Sequence, residues 1–303
     1  MSTLDRALNH KPMGRLTAVW ILSLALWVTL LIATPIGLWL AGDGVFPLMA
    51  TFGVLAQAAV TLLALAGGWP VGRVLVALVV VSGGAWAVEA LGSTTGFPFG
   101  AYDYTGALQP QLAGVPLVIP LAWFMMLVPA WAVAEAILAR HRESMGRWYA
   151  LLHAVLAGAA FTAWDLYLDP QMVANGLWVW DDPGGYFGIP WMNFLGWWLA
   201  ASSITLLIRP RYLPRARLLI IYTLTWAFQA VGLGLFWGQP GPALVGFLSM
   251  GVLVVWAWRK ELSTLPTFQS KRAGYEHHPL DADRLPIWLD PFFGDHRASG
   301  GQR

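Results

Sequence analysis

Asp165 and Asp169 stand four residues apart in the run WDLYLDPQMVANGLWVWDDPGGYFGIPWMNFLGWW, residues 164–198. On a helix that spacing puts both carboxyls on one face, one turn apart. Pro170 comes next and is expected to stop the helix. An aromatic, glycine-punctuated loop follows, and Asn193 then opens another apolar run. Upstream, Glu89 closes an apolar run, and the loop STTGFPFGAYDYTG (93–106) brings Tyr102, Asp103 and Tyr104. Carboxyls arranged in this way suit metal capture, proton relay, or acid–base chemistry in which one carboxyl keeps its proton.

Choosing among these requires knowing what carries the residues. Of 303 residues, 57% are hydrophobic and 11% charged, with no cysteine. A soluble domain would carry about 25% charged residues. Crossing a hydrocarbon core of about 30 Å takes roughly 20 helical residues. Eight apolar stretches approach or exceed that length, at 16–41, 45–67, 71–92, 115–138, 148–169, 190–208, 218–237 and 242–258. They predict an all-α, polytopic integral membrane helix bundle. Residues 1–14 form an N-terminal segment, 15–261 the transmembrane domain and 262–303 a mobile tail. With eight spans, all eighteen Lys and Arg fall on one side, which marks that side and both termini as cytoplasmic. The first span is too long for a signal-peptide core. Its setting is the plasma membrane, and the basic excess calls for inner-leaflet lipid rather than nucleic acid.

The same alternation gathers Glu89, Asp103, Asp165, Asp169, Asp181, Asp182 and Asn193 at the outer side, where no Lys or Arg lies. Trp86, Trp164, Tyr102, Tyr104 and Tyr186 share that zone, and an interfacial belt accounts for many of its other aromatics. Desolvation and like-charge repulsion with no cation nearby favour a neutral acid. Magnesium-dependent diphosphate chemistry wants basic groups at the phosphates, and this side has none, so no metal is assigned. His153 is alone in the spans, which removes multi-histidine iron chemistry. A hydroxyl installed here should come from water. Nucleotide-binding loops are absent, and His277 and His278 lack partner ligands. Glu135 is expected to pair locally with Arg140 or Arg142. Pro116, Pro120 and Pro129 are expected to kink the fourth span. A proton-coupled transporter of a small or lipophilic substrate is the alternative from another class, and a structural partner of pigment enzymes is a third.

The stretches EALGSTTGFPFGAYDYT, VPLVIPLAW, WDLYLDPQMVANGLWVW and YFGIPWMNFLGWW resemble the CruF-type membrane hydratases of carotenoid biosynthesis. The resemblance covers roughly 85–200. It implies cofactor-independent addition of water to the terminal double bond of an acyclic ψ end group, giving a tertiary alcohol. Lycopene, γ-carotene or a C50 acyclic carotenoid would be the substrate, and other carotenoid enzymes are candidate partners. From the chemistry, Asp165 is expected to be the general acid, with Asp169 and Glu89 positioning or activating water. Asn193, Tyr102, Tyr104, Asp103, Trp164, Trp86 and Tyr186 are expected to support substrate or water.

Overall fold

The computed structural model describes residues 14–263. The N-terminal segment, the tail and the His277–His278 pair lie, apart from one or two boundary residues, outside the described residues. Among the described residues there are eight long helices: α1 (Arg15–Ala41), α2 (Phe46–Ala66), α3 (Val71–Thr95), α4 (Val118–Leu138), α5 (Tyr149–Ala174), α6 (Trp191–Ile208), α7 (Arg215–Val231) and α8 (Pro240–Leu262). A π-helical turn, Gly232–Phe236, extends α7. Seven helical stretches among the described residues are long and apolar enough to cross a membrane, and the longest, Val118–Ala174, contains both α4 and α5. Those two fold back on each other. Trp131 meets His153 and Trp123 packs on Phe161, pairings that converge on the turn between the helices. The protein is a polytopic, all-α membrane bundle.

Helix α4 is the axis of the bundle. Nearly every residue from Ile119 to Ile137 is buried, as expected of a helix that is hydrophobic all round. Helices α2, α3, α5, α7 and α8 pack against it. Only Pro129 sits in its interior; Pro120 lies in the first turn and Pro116 precedes the helix in a short strand. Of the three expected kink sites, one therefore remains.

Close approach of α5 and α6 depends on Gly158. A Cβ there would lie 2.2 Å from Ser202 Oγ and 2.8 Å from the Trp198 carbonyl oxygen. We expect Gly158→Ala to force the helices apart and destabilise the bundle by about 1–3 kcal/mol, the usual effect of overpacking. Thermal melting in detergent reads this directly, and an unchanged midpoint would contradict the packing described.

The basic segments meet at one end of the bundle. There Trp69 donates to the Arg211 and Tyr212 carbonyls, Arg140 to Ser263, and Arg217 to Thr17, while Arg215 pairs with Glu261 at 3.0 Å. Glu135 does not make the expected ion pair. It is buried and accepts the Leu213 backbone N–H, while Arg140 is engaged by Ser263. Burial draws Glu135 to a fixed backbone donor rather than to the flexible guanidinium.

Candidate active site

At the opposite end, two loops roof the bundle. Strand β1 (Tyr102–Tyr104) follows α3, and the short β2 (Gln111–Leu112) and β3 (Val115–Pro116) lead into α4. Strand β4 (Trp178–Trp180) follows α5 and pairs antiparallel with β1, Tyr102 opposite Trp180 and Tyr104 opposite Trp178. Side chains alternate across a strand. Tyr102, Tyr104, Trp178 and Trp180 consequently share the inner face, while Asp103 and Val179 face out.

Pro170 does not stop α5, which runs one turn further to Ala174. A proline removes the hydrogen bond that the carbonyl four residues back would accept. Here that carbonyl belongs to Leu166, and the Tyr186 hydroxyl donates to it at 2.8 Å. The replacement donor keeps the helix intact and holds both aspartates on one continuous face.

Beneath the roof, Glu89 at 1% exposure accepts from three side chains. Tyr102 and Tyr104 hydroxyls donate to Oε2 at 2.5 and 2.8 Å, and Trp123 Nε1 donates to Oε1 at 2.9 Å. Burial, reinforced by the Glu89 charge, pushes both tyrosine hydroxyls above their ordinary value, so they remain protonated donors. Facing this group, Asn193 Nδ2 donates to Asp165 Oδ2 at 3.1 Å and to Asp169 Oδ2, while Trp178 Nε1 donates to Asp169 Oδ1 at 3.2 Å. The two aspartates are buried and share the Asn193 amide as a donor. Asp165 Oδ1 has no hydrogen-bond partner among the described residues.

Glu89, Asp169, Asn193, Tyr102, Tyr104 and Trp178 line a cavity of about 20 Å³, enough for one water molecule. Trp123, Trp180 and Trp197 also line it. Trp123, Phe161 and Trp197 pack on one another with centroids 4.7–5.1 Å apart, Phe161 stacked on Trp197 and Trp123 tilted against both, an aromatic floor suited to a cation. A second, mostly apolar cavity of about 120 Å³ abuts the first and shares Ile119, Ala122, Leu168 and Trp178 with it. No Lys or Arg lines either cavity.

The structure thus brings Glu89, Asp165, Asp169, Asn193, Tyr102 and Tyr104 together. Asp165 stands behind Asp169 and lines neither cavity, and Trp164 lines the apolar one. Asp103 is exposed, Trp86 bonds to the Leu112 carbonyl, and Tyr186 serves Leu166, so these three lie outside the site. Trp123 and Trp197 lie inside it although neither was among the expected site residues, and no spacing pattern links Trp123 to a glutamate 34 residues away. For Trp178 and Trp180 there was a signal, the W-V-W alternation matching Y-D-Y.

Residues 46–253 match the family model described as carotenoid biosynthesis protein. The chain belongs to this family. A bisanhydrobacterioruberin hydratase of Haloarcula japonica is 34% identical over 137 residues, covering 45% of this chain and 44% of that protein. The match therefore spans under half of the curated relative's length. No solved structure matches the chain.

Proposed function

We propose that this member of the carotenoid biosynthesis family is a hydratase that adds water to the terminal double bond of an acyclic carotenoid end group. The observation that carries this reading is the carboxyl-lined, water-sized cavity set directly against an apolar one with no cation present. An engineered apolar cavity of about 150 Å³ holds benzene, so the apolar cavity suits a terminal isoprene unit. The rest of the polyene would extend toward lipid beneath α1 and α2. The relative's name supports hydration as the reaction class.

In this proposal the Asp165–Asp169 pair holds one proton, and Asp169, at the cavity wall, delivers it to the alkene carbon that leaves a tertiary cation. The aromatic floor stabilises that cation by about 0.5–2 kcal/mol per ring. Water held by Glu89 and Asn193 forms the C–O bond, and Glu89 takes the released proton. Transfer back through a new water resets the aspartate pair, so the net reaction consumes alkene and water and yields the tertiary alcohol. No cofactor enters this cycle. Lycopene, γ-carotene and C50 acyclic carotenoids fit the end-group requirement equally.

We further infer eight crossings of the plasma membrane, with both termini cytoplasmic, a transmembrane domain at 15–261 and a tail at 262–303. The basic end of the bundle supports that orientation. A proton-coupled transporter would need titratable groups through the bilayer depth. Among the described residues, Gln57, Thr61, Thr205 and Thr225 are buried neutral groups within the spans, and the titratable His153 and Glu135 are both bonded to backbone groups at the basic end.

Expression in hosts making each carotenoid, grown in ¹⁸O-labelled water, tests the reaction. A product heavier by one labelled water is expected by mass spectrometry. Unchanged pigment from all three substrates, or label arriving from O₂, overturns it.

A further inference from the structure

The basic end carries a cavity that the carboxyl site does not use. It has a volume of about 390 Å³ and is lined by Arg142, Arg147, Arg209 and Arg211, with Tyr149 and His153 among its other wall residues. The arginines come from two separate connections, the one between α4 and α5 and the one between α6 and α7. No carboxylate lines the cavity. Among the described residues, none lies within ion-pair distance of these four side chains. Glu135 acts on Arg142 electrostatically but is bonded to the Leu213 N–H.

Four guanidinium groups around one concavity whose lining holds no carboxylate focus a positive potential into it. Their planar donor forks match phosphate oxygens. Arg142 is already positioned, lying over the Tyr149 ring at 5.1 Å and the Tyr212 ring at 5.7 Å. His153 is 3% exposed, and its Nε2 stands 3.1 Å from the Trp131 carbonyl oxygen. That nitrogen must therefore carry the hydrogen, leaving Nδ1 as the second polar atom of the ring. The chain flanking the arginines is apolar and exposed: Trp148 is 55% exposed, Leu207 and Tyr212 each 74%. Exposed aromatic and aliphatic side chains beside arginines mark the boundary where lipid headgroups lie.

We propose that this cavity binds a phosphate group, carried by an anionic phospholipid headgroup or by a free phosphate anion. The full chain, purified and delipidated in detergent, is titrated with phosphatidylglycerol, phosphatidylcholine, inorganic phosphate or pyrophosphate, and binding is read by thermal shift and native mass spectrometry. Saturable stabilisation is expected. If phosphatidylglycerol alone produces it, the source is the lipid; if inorganic phosphate or pyrophosphate also does, the source is a free anion.

Arg147→Gln with Arg211→Gln should weaken that binding at least about tenfold, the loss of a hydrogen bond to a charged group. Arg259→Gln, exposed at the same end but outside the cavity, should not. The Arg→Lys pair keeps the charge and should bind between these extremes, which separates loss of the site from loss of the fold. No stabilisation by any of the four ligands, or equal weakening by Arg259→Gln, overturns the proposal.

Discussion

Asp169→Asn is expected to lower carotenoid hydration by about 10²- to 10⁴-fold, the usual contribution of a positioned general acid. The substitution keeps the shape of the side chain and removes the transferable proton. Asp169 is the aspartate that lines the water-sized cavity, while Asp165 stands behind it. Asp165→Asn should therefore cause a smaller loss, because the cavity-facing carboxyl can still be charged with a proton from water. Product per unit of membrane-inserted protein, measured side by side for the two variants, decides the order. Full activity in Asp169→Asn would remove the acid from the mechanism. A larger loss in Asp165→Asn would move the delivering group one turn back along α5.

Glu89→Gln should have the second largest effect, and it should damage both rate and stability. Three donors converge on the carboxylate from β1 and α4. An amide offers one acceptor atom and brings two hydrogens of its own into the same space. At least one buried donor loses its partner, at a cost of about 1–3 kcal/mol. The group assigned to take the proton from water is also gone. We expect hydration to fall about 10²-fold or more, with a lower melting midpoint in detergent. Tyr104→Phe removes one donor and leaves the carboxylate, so its loss of rate should be much smaller. If Glu89→Gln melts with the parent protein, the three-donor arrangement is not what holds the roof to the bundle.

The long apolar helices were legible because lipid imposes length and apolarity on every crossing, and the arginines mark one end of the bundle. The carboxyl cluster was legible for a related reason: Glu89, Asp165, Asp169 and Asn193 all lie at the ends of spans on the side without Lys or Arg. Side-chain direction in the loops was not. Asp103 and Tyr102 are neighbours, yet the strand pairing of β1 with β4 turns one outward and the other onto Glu89. Pro170 misled for a different reason, since its missing hydrogen bond is replaced by Tyr186, sixteen residues away and invisible to local spacing. Glu135 found a backbone donor 78 residues on, in place of the basic residues near it in the chain. Each of these errors concerns a partner supplied by the tertiary fold.

The order in which the roof and the bundle become complete has a consequence for synthesis of the protein. Chains emerge at about 5–20 residues per second. Glu89 leaves the ribosome before Tyr102 and Tyr104, and Trp123 follows later still, so its first donors arrive within seconds. Asp165 and Asp169 must wait for Asn193, and β4, which is made before it, must find β1 across the intervening α4 and α5. A bare aspartate at the centre of an inserting helix costs about 2.5–3.5 kcal/mol, and less near the interface where these carboxyls lie. On the proposed membrane placement, the newborn α5 should insert less readily until α6 arrives. A chain released before residue 193 should be a preferred target for membrane quality control, and the period of vulnerability closes only when the asparagine reaches the aspartates.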